Sequence, residues 1–167
     1  MIYLAGAVGR QPKHPSNAQV SARTMTDTPV CTARDINHVA IAVSDIDRAL
    51  QLYRSIFGVR AQEIEELPDQ GVRAVLLRIG GSQLELIQPT DPYGGVARFI
   101  DRRGEALHHV CFEVEDLDQR LTDLREGGIE LIDQTPREGL AGMIAFVHPR
   151  STGGVLVELV DQGTARR

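Results

Sequence analysis

The stretch NHVAIAVSDIDRALQLYRSIFGV, residues 37–59, recurs later in the chain as HHVCFEVEDLDQRLTDLREGGI, residues 108–129. The two copies align at a constant offset of 71 residues. A second pair of similar segments follows them, GGSQLELI at 80–87 and GGVLVELV at 153–160. Solenoid repeats are shorter and more numerous than this, so the pattern indicates a module that is present twice.

Each copy has the pattern of a short strand, a helix and three further strands. The first helix has an apolar face at helical spacing, formed by Ala49, Leu50, Tyr53, Ile56 and Phe57. Ser44 and Asp47 resemble a capping box at its start, and Gly58 is a natural C-terminal stop. Asp116 is the corresponding cap of the second helix. The sequence therefore predicts an α+β fold in which two tandem βαβββ modules pair into one domain with a mixed sheet.

The repeat also sets the domain boundaries. We expect a single domain over residues 35–163, with module one at 35–90, a linker helix at 91–105 and module two at 106–163. Residues 1–34 have neither helical nor strand periodicity, and they carry four basic residues against one acid. We therefore interpret them as a disordered or mis-started N-terminal extension.

Composition excludes several classes of function. The chain has 167 residues, 42% of them hydrophobic and 25% charged, with a formal net charge of -5, which does not favour nucleic-acid binding. No apolar run approaches the roughly 20 residues that cross a membrane. Two cysteines, Cys31 and Cys111, are too few for a disulfide scaffold. We expect a cytoplasmic protein, or one of the mitochondrial matrix if the N-terminal segment is a transit peptide.

Two kinds of polar side chain occupy matching places in both copies. His38 superposes on His109, and Glu85 superposes on Glu158. Each of these histidines shares its strand face with small or polar side chains, whereas each glutamate has apolar neighbours on both sides. Because adjacent strand residues point to opposite faces, at most one of His108 and His109 should face any given pocket. The repeat selects His109.

Two histidines and two glutamates give a donor set of two nitrogens and two oxygens. Such a set suits a divalent ion with about six ligands, some of them water. Structural zinc sites are closed and often contain thiolates, so the pattern favours an open catalytic site. A single histidine or glutamate in such a strand is more often an ordinary surface or core-edge residue. The recurrence of both in both copies is what indicates a metal site.

The chain resembles the methylmalonyl-CoA epimerase family of the vicinal oxygen chelate superfamily, which also includes glyoxalase I. The segments that carry the resemblance are INHVAIAVSDIDRALQLY, QLELIQPT, VARFIDRRGEALHHVCFEVEDLD and FVHPRSTGGVLVELV. The resemblance implies four metal ligands, which are His38, Glu85, His109 and Glu158. It also implies that Glu158 is one of the family's two acid-base groups.

The same resemblance implies the chemistry. The cofactor is a divalent metal ion, most commonly cobalt, with manganese, nickel or zinc as alternatives. The substrate is an acyl-CoA, methylmalonyl-CoA, whose 2R and 2S forms interconvert through a metal-stabilised enolate. A cation stabilises that negative charge as a Lewis acid, and inversion requires proton transfer on both faces of the carbon. Relatives are usually homodimers, so we expect a homodimer here.

One position departs from part of the family. Some relatives read QGVREA or QGVVEI, and the glutamate of that motif is their second acid-base group. This chain reads QGVRAV, with Ala74 at that position, and alanine cannot transfer a proton. Glu65, Glu66, Asp69 and a metal-bound water are open as substitutes.

Two other functions are open at this point. A glyoxalase-I-type lactoylglutathione lyase would use the same ligand set and enolate chemistry, but on a glutathione thiohemiacetal. A non-catalytic small-molecule-binding protein of the same fold would need no metal ligands. The presence of all four predicted ligands argues against the non-catalytic protein.

Overall fold

A computed structural model describes residues 29–163 of the chain, so residues 1–28 of the expected extension lie outside the described part. The elements are β1 (Asp35–Ala42), α1 (Ile46–Phe57), β2 (Arg60–Ala61), β3 (Glu65–Leu67), β4 (Val72–Ile79), β5 (Ser82–Pro89), α2 (Gly95–Arg103), β6 (Ala106–Glu113), α3 (Leu117–Glu126), β7 (Arg137–Gly139), β8 (Gly142–Val147) and β9 (Val157–Asp161). The predicted α+β fold is confirmed. Within the described residues, no helix has the length and apolarity to cross a bilayer.

All nine described strands form one mixed sheet. Their order is β2-β4-β5-β1-β6-β9-β8-β7, and β3 also pairs with β4. The first strands of the two modules, β1 and β6, pair antiparallel and form a central seam. Each of them has a parallel partner in its own module, β5 or β9. The seam therefore brings equivalent positions of the two modules side by side.

Module two has the predicted βαβββ order, but module one has one strand more. The strand that returns from α1 is split into β2 and β3, and both parts pair with β4. Residues 62–64 lie opposite only 75–76, so one strand has an extra residue and the ladder is interrupted there. Such a local irregularity leaves the hydrophobic pattern of the sequence almost unchanged.

The two faces of the sheet pack against different helices. On one face, Leu50 of α1 and Leu121 of α3 each pack into an apolar core with alternate residues of the strands. The opposite face, which we call the inner face, carries Ala40, Cys111 and Ala74 and is partly covered by α2. The small side chains of the inner face leave room for polar groups among them.

Two details of α1 differ from the sequence prediction. The cap is Asp45, whose side chain accepts a hydrogen bond from the backbone of Arg48 at 2.9 Å, whereas the Ser44 backbone donates to Glu105. The predicted Ser44 capping box is therefore wrong by one residue. Ile56 and Phe57, which were expected to face the core, are 60% and 66% exposed because they lie in the last helical turn, beyond the buried stripe.

Other helix ends follow the prediction. The Asp116 carboxylate accepts a hydrogen bond from the backbone N–H of Gln119 at the start of α3. Gly58 adopts a left-handed conformation with φ 63° at the end of α1, and its N–H donates to the Arg54 carbonyl. Ahead of β1, the Arg34 backbone N–H donates to the carbonyl of Glu113, which ties the chain entering the domain to β6.

Candidate metal centre

The four predicted ligands converge on the inner face of the sheet. His38 lies on β1, Glu85 on β5, His109 on β6 and Glu158 on β9, which are four consecutive strands in the sheet order. None of the four residues is more than 6% exposed. One nitrogen or oxygen atom of each side chain lies within 4.8 Å of the corresponding atoms of the other three. The central seam thus collects two donors from each module at one point.

The distances between these atoms suit a single ion. His109 Nε2 lies 2.7 Å from Glu158 Oε2, and His38 Nε2 lies 3.2 Å from the same oxygen. The two Nε2 atoms are 3.3 Å apart. Glu85 Oε2 lies 3.4 Å from His38 Nε2 and 3.6 Å from His109 Nε2. Two ligands held at right angles, each about 2.1 Å from an ion, are about 3 Å apart. The side chains therefore fit a divalent cation.

Burial and pairing have opposite effects on the pKa values in this cluster. Burial lowers the pKa of His38, but hydrogen bonds with the Cys111 thiol and with both carboxylates override it and raise that pKa to about 12. Burial raises the pKa of Glu158, but hydrogen bonds with His109 and His38 bring that pKa down to about 2. Without a cation, the centre is thus held by a buried imidazolium beside a carboxylate.

The strict alternation expected for the adjacent histidines is wrong, because β6 has a β-bulge at His108. In the seam, His109 pairs with Ala40 and Leu107 pairs with the next residue of β1, so the pairing passes over His108. A bulge interrupts the period of two. The His108 ring contacts the rings of both His109 and Phe99, which belongs to the inner-face helix α2. Both histidines therefore lie on the inner side.

Sequence reasoning missed Asn37, the residue before His38. It occupies the corresponding bulge in β1, is only 7% exposed, and places Oδ1 3.0 Å from His38 Nδ1. The signal was present in the repeat, because Asn37 superposes on His108 at the 71-residue offset. Each predicted histidine ligand is thus preceded by a polar side chain in a bulge.

The register of β3 against β4 distinguishes the carboxylates that could take the place of a glutamate at position 74. Ala74 is fully buried on the inner face. Its cross-strand partner is Glu65, and directly paired residues share a face, so Glu65 is an exposed carboxylate beside that position. Glu66 pairs with Arg73 and lies on the opposite face. Asp69 lies in an exposed 3₁₀ turn between β3 and β4.

Apolar and aromatic side chains border the centre. An apolar cluster on the inner face consists of Ala40, Ala42, Ala74 and Ile87, with Leu67, Val96, Phe99, Ile100 and Leu140 packed against it. On the other side, the Phe146 ring meets the His109 ring edge-on at 5.2 Å. The Arg137 guanidinium lies over Phe146, 5.4 Å from the ring centre. The Arg137 guanidinium is thus a cationic group near the centre that sequence reasoning did not single out.

Comparison with known proteins places this geometry in a family. Residues 37–147 match the Glyoxalase/Bleomycin resistance protein/Dioxygenase superfamily. Mitochondrial methylmalonyl-CoA epimerase of Mus musculus is 32% identical over 160 residues, which is 95% of this chain and 87% of the mouse protein. The Homo sapiens protein of the same name is 35% identical over 126 residues, covering 74% of this chain and 72% of its own. A lactoylglutathione lyase of Arabidopsis thaliana is more distant, at 24% identity over 49% of its length.

Solved structures give the same relationship. Methylmalonyl-CoA epimerase from Mycobacterium tuberculosis superposes with a TM-score of 0.75 at 37% identity, over 85% of this chain and 95% of that one. A methylmalonyl-CoA epimerase in complex with methylmalonyl-CoA and NH4+ has a TM-score of 0.77 at 33% identity, over 81% of this chain and 99% of that one. The similarity thus extends over more than four fifths of this chain and nearly the full length of the two solved structures.

Proposed function

This chain belongs to the Glyoxalase/Bleomycin resistance protein/Dioxygenase superfamily, and we propose that it is a metal-dependent epimerase that interconverts the 2R and 2S forms of methylmalonyl-CoA. The observation that carries the proposal is the buried set of His38, Glu85, His109 and Glu158 on the inner face. The chain matches the solved methylmalonyl-CoA epimerases over nearly their full length, whereas the lactoylglutathione lyase is a more distant relative. This difference supports methylmalonyl-CoA over a glutathione adduct as the substrate.

The same four side chains would hold the metal cofactor, for which we propose cobalt(II). Manganese, nickel and zinc are the alternative ions. When bound, the ion supplies a Lewis acid that stabilises negative charge on the thioester oxygen of the enolate. Two imidazole nitrogens and two carboxylate oxygens match the donors that these ions take, and they leave positions open for the substrate.

Glu158 is the proposed acid-base group on one face of the substrate. In the metal-free protein, burial raises the pKa of this carboxylate, but hydrogen bonds with His109 and His38 bring it down to about 2, so the group is ionised. As an ionised carboxylate it can accept the α-proton at Oε2, which lies buried 2.7 Å from His109 Nε2. A positioned acid-base group of this kind contributes roughly 10²- to 10⁴-fold to the rate.

For the opposite face we propose Glu85, the counterpart of Glu158 in module one. The two carboxylates come from equivalent strands on either side of the seam, so they flank the histidine pair from opposite directions. Relatives with a glutamate at position 74 have an acid-base carboxylate on the module-one side. Ala74 cannot supply that carboxylate here, but Glu85 can. Glu65 is the less favourable candidate because it is exposed at the sheet edge and lies outside the ligand cluster.

The proposal is tested by following the α-proton of (2S)-methylmalonyl-CoA by NMR in D2O. The samples are cobalt-loaded protein, chelator-stripped protein and a blank without enzyme. We expect metal-dependent exchange together with formation of the 2R form. No exchange above the blank by folded, cobalt-loaded protein would refute the epimerase. Turnover of a glutathione thiohemiacetal by the same sample would establish the lyase instead.

The second acid-base group is tested with Glu85→Gln, which keeps an oxygen donor for the ion but cannot transfer a proton. We expect inversion to fall by roughly 10²- to 10⁴-fold, with one-sided exchange and cobalt binding retained. Glu65→Gln is the matched control and should invert at nearly the original rate. Adding Ala74→Glu to Glu85→Gln should restore part of the inversion. Undiminished inversion by Glu85→Gln would eliminate Glu85 from this role.

We further propose that the protein is a homodimer. Three apolar side chains of α1 are more than half exposed, Leu52, Ile56 and Phe57, and exposed apolar patches mark protein interfaces. Sedimentation should give twice the monomer mass, and Ile56→Glu should reduce it to the monomer. A monomeric parent protein would contradict the proposal.

For the compartment we propose the cytoplasm, or the mitochondrial matrix if residues 1–34 act as a transit peptide. The mouse and human relatives carry mitochondrial names. Fractionation of cells that express the chain with and without residues 1–34 distinguishes the two, because only a transit peptide would make matrix import depend on that segment.

A further inference from the structure

Two β-bulges in the central seam place a polar side chain behind each predicted ligand histidine. Along β1 and β6 the pairing passes over Asn37 and over His108, which are therefore the extra residues of the two bulges. Each of them directly precedes a ligand, His38 or His109. The same 71-residue offset relates the two bulged residues and the two histidines, so the arrangement is present once in each module.

Each bulge makes the same contact. Asn37 Oδ1 lies 3.0 Å from Nδ1 of His38, and His108 Nδ1 lies 2.9 Å from Nδ1 of His109. In both histidines the other ring nitrogen, Nε2, faces the carboxylate of Glu158 at the centre. The bulged residues therefore contact the side of each ring that points away from the metal position.

We propose that Asn37 and His108 are positioning residues, each of which accepts a hydrogen bond from Nδ1–H of the following histidine and so leaves Nε2 as the nitrogen that binds the ion. The inference rests on the proposed metal centre and assigns to this chain two residues that complete it. Without the bulges, period-two alternation would turn both side chains to the opposite face of the sheet.

Asn and His are both residue types that can accept a hydrogen bond from a histidine ring N–H. The side-chain oxygen of Asn37 can only accept, so its contact requires the proton of His38 to be on Nδ1. His108 can accept through Nδ1 when its own proton is on Nε2. Its ring is also fixed edge-on against Phe99, with 4.9 Å between ring centres. Metal-binding histidines generally need such a partner, and its loss typically lowers metal affinity 10- to 100-fold.

The test is cobalt binding measured by calorimetry on the full chain, with a conservative and a disruptive variant. His108→Leu removes the acceptor, whereas His108→Asn gives module two the residue that module one already has. Phe99→Leu loosens the packing of the His108 ring but keeps its acceptor atom, so it measures how much of any loss comes from packing. We expect a 10- to 100-fold loss of affinity for His108→Leu and for Asn37→Leu. His108→Asn should stay within about threefold of the parent, and Phe99→Leu should lose less affinity than His108→Leu.

A second measurement does not depend on the folding of any variant. Long-range nitrogen–proton NMR of the zinc-loaded parent protein reports which ring nitrogen carries the proton, and we expect Nδ1–H in both His38 and His109. A proton on Nε2 of either histidine would overturn the inference, as would unchanged affinity in His108→Leu. Absence of cobalt or zinc binding by the parent protein would instead refute the metal centre itself, and the inference with it.

Discussion

Binding of a divalent ion should release one proton, which His38 carries in the metal-free protein. Its pKa is raised to about 12, so between pH 7 and 9 the folded metal-free protein holds the imidazolium form. Metals bind the neutral imidazole, so the ion must displace this proton. Glu158, with a pKa of about 2, is already ionised and contributes none. One displaced proton makes the apparent association constant rise about tenfold for each pH unit.

The same shift sets how the stability of the metal-free protein depends on pH. In the unfolded chain His38 loses its proton near pH 6.5, whereas in the folded protein it keeps the proton up to about pH 12. The resulting stabilisation is complete below pH 6.5 and is lost as the pH rises through about 12. Within that window, the folding equilibrium constant should fall by up to about tenfold per pH unit. Metal-loaded protein lacks this contribution, because its imidazole is neutral.

The assay is isothermal titration calorimetry of zinc into metal-free protein at pH 8, in buffers with different enthalpies of protonation. The dependence of the measured enthalpy on the buffer gives the number of protons released. The matched control is His38→Gln, which keeps a donor atom but has no proton to release. We expect one proton more from the parent than from the variant. Equal release from both proteins would refute the protonation state derived for His38.

Three further measurements test the fold and the centre. Gly142 has φ 141°, and a Cβ there would lie 2.6 Å from the Asp161 carbonyl oxygen. Gly142→Ala should therefore lower the free energy of unfolding in urea by about 1–3 kcal/mol. Gly81→Ala is the control, because its Cβ would meet open space, and it should change stability by less than about 0.5 kcal/mol. Asp45→Ala should lower the free energy of unfolding by about 1 kcal/mol, because α1 loses its cap. An equal loss for Ser44→Ala would support the predicted Ser44 capping box instead. At an ion concentration of a thousand times Kd, adding chelator should remove about 4 kcal/mol of stability, and an unchanged melting temperature would mean that no ion was bound.

Local sequence patterns were sufficient for the architecture and for the four side chains that cluster on the inner face. The 71-residue repeat predicted two βαβββ modules in one mixed sheet, because a duplicated hydrophobic pattern folds twice into the same unit. The same offset also singled out His38 and His109, and the second pair of similar segments singled out Glu85 and Glu158. Polar residues that recur on equivalent strands face the same place when the modules pair. Helix ends at Asp116 and Gly58 were predictable as well, because caps depend on neighbouring residues only.

What the sequence left undecided depends on pairing between distant strands. Whether Asn37 and His108 turn toward the inner face is set by where the β1–β6 ladder skips a residue, and no local pattern records that skip. The choice between Glu65 and Glu66 likewise depends on their register with β4. A shift of one residue in register moves every side chain of a strand to the other face. The sequence by itself therefore determined the fold and the four clustered side chains, and only the tertiary structure decided which polar residues contact the two histidines from the other side.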